Sequence, residues 1–248
     1  MTPPLNATSR GKVGSRFAAV ADRQLWKNYA RVYDSLNHLV AYREMIDGVA
    51  ALSLQNRPRF ICEIGCGTGN LLLKLSQRCD AKIVGVDPSR AMLRQAERKL
   101  AGRPSVGLLL ATAHDAMHAF PRNSFQTVTM CNSLYALPNR PALWEELARV
   151  LAPGGIVVIS HTDRPGQWPI VKRQIAEDGL RVFARPSLYA VSAVDRMIDV
   201  MATHSHYEFP AYLHIHQELA NAGLNATLVG RTYGEDAHGI NFLAIASK

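Results

Sequence analysis

A glycine-rich segment has the spacing of a loop that brings the backbone close to a ligand. Gly65, Gly67 and Gly69 alternate with other residues between an apolar stretch and a helix-like stretch. Glycine has no Cβ, so the backbone at these positions can approach a ligand with its amide groups free to donate hydrogen bonds. The three glycines therefore predict a cofactor-binding loop.

The spacing of these glycines differs from that of a dinucleotide-binding loop. The dinucleotide fingerprint would place its third glycine at position 70, which is Asn70. Glu63, two positions before Gly65, would repel a pyrophosphate but suits a cofactor that carries an ammonium and a sulfonium. We therefore expect a cationic cofactor at this loop.

A second acidic residue, Asp87, ends the next predicted strand. A carboxylate at that place can accept both hydroxyls of a ribose in charge-assisted hydrogen bonds. Pro88 and Met92 beside it would supply an apolar surface for an adenine ring. The alternative role for Asp87 is structural, as a partner for the N-terminus of the next helix.

The elements that would position these residues alternate regularly along the chain. Apolar runs predict strands over residues 59–65, 82–87, 105–113, 126–132 and 156–160, and helical periodicity predicts helices over 70–78, 88–100 and 141–151. Residues 153–155, Pro-Gly-Gly, are expected to turn the chain into the fifth strand. Apolar strands that are each followed by a helix require a parallel sheet covered on both faces.

The end of the chain departs from this alternation. A predicted helix over residues 209–222 leads to two predicted strands, 226–233 and 241–247, joined by a short polar loop typical of a β-hairpin. The sequence therefore predicts an α/β fold, with a doubly wound, mostly parallel, seven-stranded sheet that ends in a β-hairpin.

The predicted core is flanked by segments of other kinds, and all of residues 1–248 are expected to form one domain. Residues 1–16 predict a flexible tail, 17–55 an N-terminal helical cap, 56–160 the cofactor-binding core and 209–248 the final helix and hairpin. Residues 161–208 break the alternation at the carboxyl edge of the sheet, where open α/β sheets bind ligands, and are expected to form a substrate cap.

Composition places the chain among ordinary globular proteins, at 248 residues with 48% hydrophobic and 19% charged residues. No apolar run reaches the roughly 18 residues of a membrane span, and the N-terminus lacks the apolar region of a secretory signal, so we expect a cytoplasmic protein. The four cysteines lack the paired spacing of a zinc site, which predicts reduced thiols and no metal. They are Cys62, Cys66, Cys79 and Cys131.

The formal net charge of +8 raises the question of a nucleic acid or an anionic surface as partner. Four of the basic residues fall on one predicted helix, without the interleaved aromatic residues of a single-strand stacking surface. They are Arg90, Arg94, Arg98 and Lys99. A solvated helix face is favoured, so a nucleic-acid partner is disfavoured although not excluded, and the oligomeric state is not indicated.

Residues 63–69 and 86–89 closely resemble motifs of the class I S-adenosylmethionine-dependent methyltransferase superfamily. The resemblance continues through residues 120–125, 131–134 and 149–155 and spans about residues 56 to 160. It implies S-adenosylmethionine as methyl donor and S-adenosylhomocysteine as product. In related enzymes the positions that bind the donor correspond here to Gly65, Gly67 and Gly69 for the methionine part, Asp87 for the ribose, His114 or Asp115 for the adenine, and Asn132 and Ser133 near the sulfonium.

The N-terminal segment Tyr29-Ala-Arg-Val-Tyr33-Asp34 is similar to one that closes over the cofactor in related methyltransferases. The resemblance thus implies a cofactor-binding role for Tyr29 and Tyr33, beside the alternative that they form a stripe of core aromatics with Trp26. A cation–π contact with the sulfonium is consistent with the first role.

No catalytic motif is evident. Many small-molecule members of the superfamily carry a histidine shortly after the fourth strand, where this chain has Tyr135. The catalytic candidates are His161, just past the fifth strand, and Tyr135, which is equally consistent with packing. Packing or surface roles are favoured over a metal site for the late histidines His204, His206, His214 and His216.

The expected activity is methyl transfer to a small organic metabolite, since a closed cap fits a small acceptor. Basic residues in the predicted cap would suit an acidic one; they are Arg164, Lys172, Arg173, Arg181 and Arg185. Two alternatives stay open. One is an RNA, lipid or other macromolecular methyltransferase, and the other is a module that binds S-adenosylmethionine without catalysis.

Overall fold

A computed structural model describes residues 24–163, 168–179, 208–234 and 239–248. The predicted tail over residues 1–16 and most of the predicted substrate cap, with His204 and His206, lie outside these ranges. The described chain is helical from residue 24 to residue 32 (α1) and continues as a 3-10 helix, Tyr33–His38, into α2, Val40–Leu54. The predicted helical character of the N-terminal segment is therefore confirmed where it is described.

Seven strands form one sheet in the order β3-β2-β1-β4-β5-β7-β6. The strands are β1 Phe60–Ile64, β2 Lys82–Asp87, β3 Val106–Leu110, β4 Phe125–Cys131, β5 Leu151–Thr162, β6 Asn225–Thr232 and β7 Asn241–Ser247. The remaining helices are α3 Asn70–Arg78, α4 Arg90–Lys99, α5 Ala113–Ala119, α6 Arg140–Val150, α7 Trp168–Asp178 and α8 Tyr212–Asn221.

Strand directions confirm the predicted sheet. The first five strands pair in parallel, whereas β7 lies antiparallel between β5 and β6. The parallel strands are apolar on both faces because helices cover both sides. On one side α2, α3 and α4 bury residues such as Met45 and Leu72, and on the other α5, α6 and α8 bury Trp144 and Ile215.

Two predicted boundaries were wrong. The third strand ends at Leu110 rather than at residue 113, because the hydroxyl of Thr112 accepts the backbone N–H of Asp115 and starts the short helix α5. The fifth strand begins at Leu151 rather than at residue 156. The Pro-Gly-Gly residues lie within it, where its register against β4 shifts.

β1 and β4 are neighbours in the sheet, but the strands that follow β1 extend toward one edge and those that follow β4 toward the other. The winding of the sheet therefore reverses between β1 and β4. Ligands in open α/β sheets bind beyond the carboxyl ends of the strands at such a switch point. The loop after β1 begins at Gly65 and the loop after β4 begins at Asn132. No helix in the part of the chain that the structure describes has both the length and the apolar character needed to cross a bilayer.

Candidate active site

The glycine loop is held in shape by its own amides. Gly65 and Cys66 both donate to the carbonyl of Val86, at 2.8 and 3.0 Å, and Gly69 donates to the carbonyl of Cys66 at 2.9 Å. Gly67 donates to the Oδ2 of Asp87 at 2.9 Å. The expectation that these amides are free for a ligand was therefore wrong, because those of Gly65 and Gly67 fasten the loop to the end of β2 and that of Gly69 closes the loop on itself.

Glycine is nevertheless required at the loop. All three glycines have positive φ, which residues with a Cβ rarely adopt. A Cβ on Gly65 would lie 2.5 Å from the Cβ of Ser133, so glycine here lets the loops after β1 and β4 touch. On Gly67, which faces the cavity described below, the nearest atom would be Cε1 of Tyr33 at 3.9 Å.

The carboxylate of Asp87 accepts two backbone amides, one from the glycine loop and one from the residue that caps α4. Its Oδ2 accepts the amide of Gly67, and its Oδ1 accepts the amide of Ser89 at 2.8 Å. Burial raises the pKa of Asp87 to about 6, although the two amides favour the carboxylate and oppose that shift. Ser89, rather than Asp87, caps α4, and the carboxyl of Asp87 still forms part of the cavity wall.

Glu63 lies beneath the loop instead of in the cavity wall. The side chain is buried, and burial together with the charge of Asp87 raises its pKa well above the usual range for glutamate. Its Oε2 has no hydrogen-bond partner among the described residues. Burial thus favours the neutral, protonated form of Glu63 and does not supply the negative charge that the sequence predicts for a cationic cofactor.

A cavity of about 700 Å³ opens at the switch point, within the size range of small-molecule sites. Most of the predicted site residues line it: Tyr33, Gly65, Gly67, Asp87, Pro88, Met92, His114, Asn132, Ser133 and Tyr135. The other predicted site residues lie outside its lining: Tyr29, Glu63, Gly69, Asp115 and His161.

Several lining residues were not predicted as site residues. Leu110 pairs with Asp87 in the sheet and is 42% exposed toward the cavity, so it offers apolar surface next to the carboxylate. Its position at the carboxyl end of β3 was the signal that would have identified it. Arg90 and Arg94 are exposed, as predicted for a solvated helix face, and they also line the cavity.

The structure separates the two adenine-site alternatives, His114 and Asp115. Asp115 is engaged with Thr112, which donates to its Oδ2 at 2.7 Å. His114 lines the cavity, and its Nε2 lies 3.1 Å from the carbonyl oxygen of Asn139. His114 is therefore the member of the pair that lines the cavity.

The two catalytic candidates stack on each other, and Tyr135 alone lines the cavity. The rings of Tyr135 and His161 have centroids 6.2 Å apart, and Phe209 and Phe242 also pack against His161. His161 is fully buried, and neither ring nitrogen has a hydrogen-bond partner among the described residues. Burial lowers the pKa of His161 to about 3, so the imidazole is neutral.

The C-terminal hairpin fixes the residue that follows β4. Asn132 has a φ of 50°, and its Oδ1 accepts the side-chain amide of Asn241 on β7 at 2.7 Å. The Oδ1 of Asn241 accepts the hydroxyl of Thr162 at 2.6 Å. Asn132 is thereby held in a left-handed conformation that turns the chain along the cavity.

The aromatic stripe of the N-terminal segment divides into two kinds of residue. Tyr29 is buried in the core, in contact with Trp26 and Tyr33. Trp26 and Tyr33 line the cavity, and Trp26 stacks with Tyr135 at 6.4 Å. The segment therefore covers one side of the cavity and brings two aromatic rings to it.

Comparisons with known proteins agree with this geometry. A family model described as a methyltransferase domain matches residues 61–155. A demethylmenaquinone methyltransferase of Symbiobacterium thermophilum is 28% identical over 70% of this chain and 77% of the relative. A trans-aconitate 2-methyltransferase of Yersinia pestis is 33% identical over 49% of this chain, and the matched part is 46% of that relative's length.

Solved structures share the fold at low sequence identity. A methyltransferase of Thermotoga maritima, described as a possible histamine N-methyltransferase, is 16% identical, with a TM-score of 0.57 over 91% of this chain and 99% of its own. The S-adenosylhomocysteine complex of DhpI is 17% identical, with a TM-score of 0.56 over 91% and 95% of the two chains. Both show the same fold.

Proposed function

Since the chain belongs to the class I S-adenosylmethionine-dependent methyltransferases, we propose that it methylates a small organic molecule bound beside Tyr135. The observation that carries the proposal is one continuous cavity that joins the carboxyl of Asp87 to the rings of Trp26 and Tyr135. The relatives support a small acceptor, because their names specify demethylmenaquinone and trans-aconitate.

The cavity wall suits the methyl donor along its length. Asp87 would accept the ribose hydroxyls, while Met92 and Leu110 would contact the adenine and His114 its edge. Asn132 and Ser133 would lie beside the methionine part, with Gly67 opposite them. When bound, S-adenosylmethionine supplies an electrophilic methyl carbon on a positively charged sulfur.

The protein's own contribution to catalysis would be alignment and exclusion of water. The leaving sulfide is neutral, so no residue has to protonate it. Tyr135 would orient the acceptor, and Trp26 and Tyr33 would place aromatic faces near the cationic end of the donor. We assign to His161, which is neutral, fully buried and stacked behind Tyr135, a role in holding Tyr135 rather than in taking up a proton.

The positive charge that an acidic acceptor needs would come from residues of the cavity wall rather than from α7, the helix after β5. Lys27, Arg90 and Arg94 line the cavity, whereas Arg173 on α7 forms ion pairs with Glu44 and Glu177. Arg164, Arg181 and Arg185 lie outside the described residues. We retain residues 161–208 as the proposed substrate cap, because both described ends of this segment adjoin β5 and Tyr135.

Transfer of a radiolabelled methyl group separates the proposed function from its alternatives. The protein is incubated with labelled S-adenosylmethionine and a cell extract, which is then divided into small-molecule, lipid, RNA and protein fractions. The proposal predicts label on a small molecule, either in the aqueous fraction or, for a quinone, in the lipid extract. Label confined to RNA, protein or phospholipid would favour a macromolecular or membrane-surface methyltransferase, and tight S-adenosylhomocysteine binding without any transfer would favour a binding module.

A further inference from the structure

A polar cluster beside the glycine loop joins three parts of the chain that are distant in sequence. Lys99, at the end of α4, donates to the Oδ1 of Asp34 at 2.8 Å, to the Oγ1 of Thr68 at 3.1 Å and to the Oδ1 of Asn70. Thr68 donates to the same oxygen of Asp34 at 2.6 Å. The N-terminal 3-10 helix, the glycine loop and α4 thus share one network.

The position of Lys99 differs from the solvated helix face that the sequence predicts. Its side chain is only 18% exposed, and Thr68 is fully buried. An ammonium is unfavourable in such a place unless it is paired. Burial lowers the pKa of Lys99, and the carboxylate of Asp34 opposes that change. Lys99 therefore depends on the 3-10 helix for its counter-charge.

The network reaches the cavity through Tyr33. Tyr33 directly precedes Asp34, and its ring faces Gly67 across the cavity wall. Thr68 follows Gly67, and both Thr68 and Asp34 accept hydrogen bonds from Lys99. Lys99 therefore holds both sides of the contact between Tyr33 and Gly67. Asn70 extends the network by donating to the hydroxyl of Tyr42 at 3.0 Å. Displacing the 3-10 helix would therefore remove the carboxylate partner of Lys99 while opening the wall beside Gly67.

We propose that Lys99 and Asp34 are positioning residues that lock the Tyr33 segment onto the glycine loop, so that the methyl-donor site is complete only when this segment is seated. The inference rests on the donor site of the proposed function but not on the identity of the acceptor. It assigns a role to two charged residues that touch neither the donor nor the acceptor.

The test measures S-adenosylhomocysteine binding by calorimetry in the wild type, Lys99→Met, Asp34→Asn and the double variant. Each single variant should weaken binding about tenfold, and the double variant should lose little more, because both substitutions break one unit. Lys99→Arg should recover part of the affinity. The matched control is Arg98→Met, an exposed cation one position earlier on α4, which should bind as the wild type does.

Trypsin cleavage at Lys27 and Arg31 reports on the seating of the segment. S-adenosylhomocysteine should protect these sites in the wild type and in Arg98→Met but not in Lys99→Met or Asp34→Asn. If Lys99→Met fails to fold, the test relies on Asp34→Asn, because the carboxylate of Asp34 is half-exposed and its replacement leaves the core intact. Unchanged affinity and protection in Asp34→Asn, or additive losses in the double variant, would overturn the lock. A wild type that does not bind S-adenosylhomocysteine would instead overturn the donor site itself.

Discussion

The carboxylate of Asp87 accepts the backbone amide of Gly67 at 2.9 Å, which ties the end of β2 to the middle of the glycine loop. The same carboxylate forms part of the cavity wall, and its other oxygen accepts the amide of Ser89. One buried side chain therefore shapes the loop after β1 and also lines the cavity. Under the proposed function, loop geometry and donor binding depend on the same group.

Removal of this carboxylate should weaken donor binding. Asp87→Ala is expected to reduce the affinity for S-adenosylhomocysteine by about 1.5–3 kcal/mol, the range for lost charge-assisted hydrogen bonds. Calorimetric titration measures the change. Asp115→Ala, on the neighbouring helix but outside the cavity lining, is the matched control and should keep wild-type affinity. Equal losses in the two variants would mean that the ribose lies elsewhere.

Donor binding should depend on pH through Asp87. The pKa of about 6 in the free protein means that the carboxylate is largely protonated below pH 6 and ionised above pH 7. A protonated carboxyl accepts ribose hydroxyls poorly, so affinity should rise between pH 5 and pH 7 and then level off, with a slope near one proton. Titrations across this range test the midpoint, and Glu63→Gln should retain it.

The same shift predicts the sign of a stability change. Because the folded-state pKa of Asp87 exceeds the unfolded value of about 3.9, the folded protein binds the proton more tightly. The contribution of Asp87 to stability is therefore complete below about pH 4 and is lost as pH rises through about 6. Chemical denaturation of the ligand-free protein should show this loss, and the loss should be smaller in Asp87→Ala, where Glu63 still has a raised pKa.

Gly65 should not tolerate a Cβ. Gly65→Ala combines a positive φ with a Cβ placed 2.5 Å from that of Ser133, and we expect a loss of about 2–4 kcal/mol of unfolding free energy. Gly102→Ala, at a φ of 82° with open space around it, isolates the backbone term and should cost about 1 kcal/mol. Denaturant melts compare the unfolding free energies of the two variants. Equal losses would show that the contact with Ser133 adds nothing to the cost of a Cβ at Gly65.

Replacement of His161 by an apolar ring should raise stability. His161→Phe keeps an aromatic ring among Tyr135, Phe209 and Phe242 and removes two buried nitrogens that have no partner among the described residues, so we expect about 1 kcal/mol of added stability. Methyl transfer should change little, because the phenyl ring keeps the stacking on Tyr135. His118→Phe, at an exposed position, is the control. A clear loss of stability in His161→Phe would show that the imidazole is paired in solution.

The sequence allowed the sheet and its final hairpin to be predicted, and most of the predicted site residues line the cavity. Strands such as β1 and β5 bury both faces, which leaves a continuous apolar signal, and the glycines and Asp87 stand where strands end. The start of β5 was misplaced because a Pro-Gly-Gly segment signals a turn locally, whereas here it forms an irregularity inside a strand. Only the pairing of this segment with β4 distinguishes a turn from an irregularity inside a strand.

Residues whose role depends on distant partners could not be predicted in this way. Lys99 has the helical spacing of a solvated cation, and its burial follows from Asp34, which lies far away in the chain. The same holds for Asn241, which holds Asn132 from the opposite end of the sequence. Periodicity reports the burial of apolar residues but carries no signal for a polar residue that is buried with a partner.

A crystal structure of the S-adenosylhomocysteine complex tests the central claim most directly. The account predicts the ribose hydroxyls within hydrogen-bond distance of Asp87, the adenine against Met92 and Leu110, and the sulfur between Gly67 and Asn132, facing Tyr135. Ligand density in another cavity, or a ribose that does not contact Asp87, would contradict it.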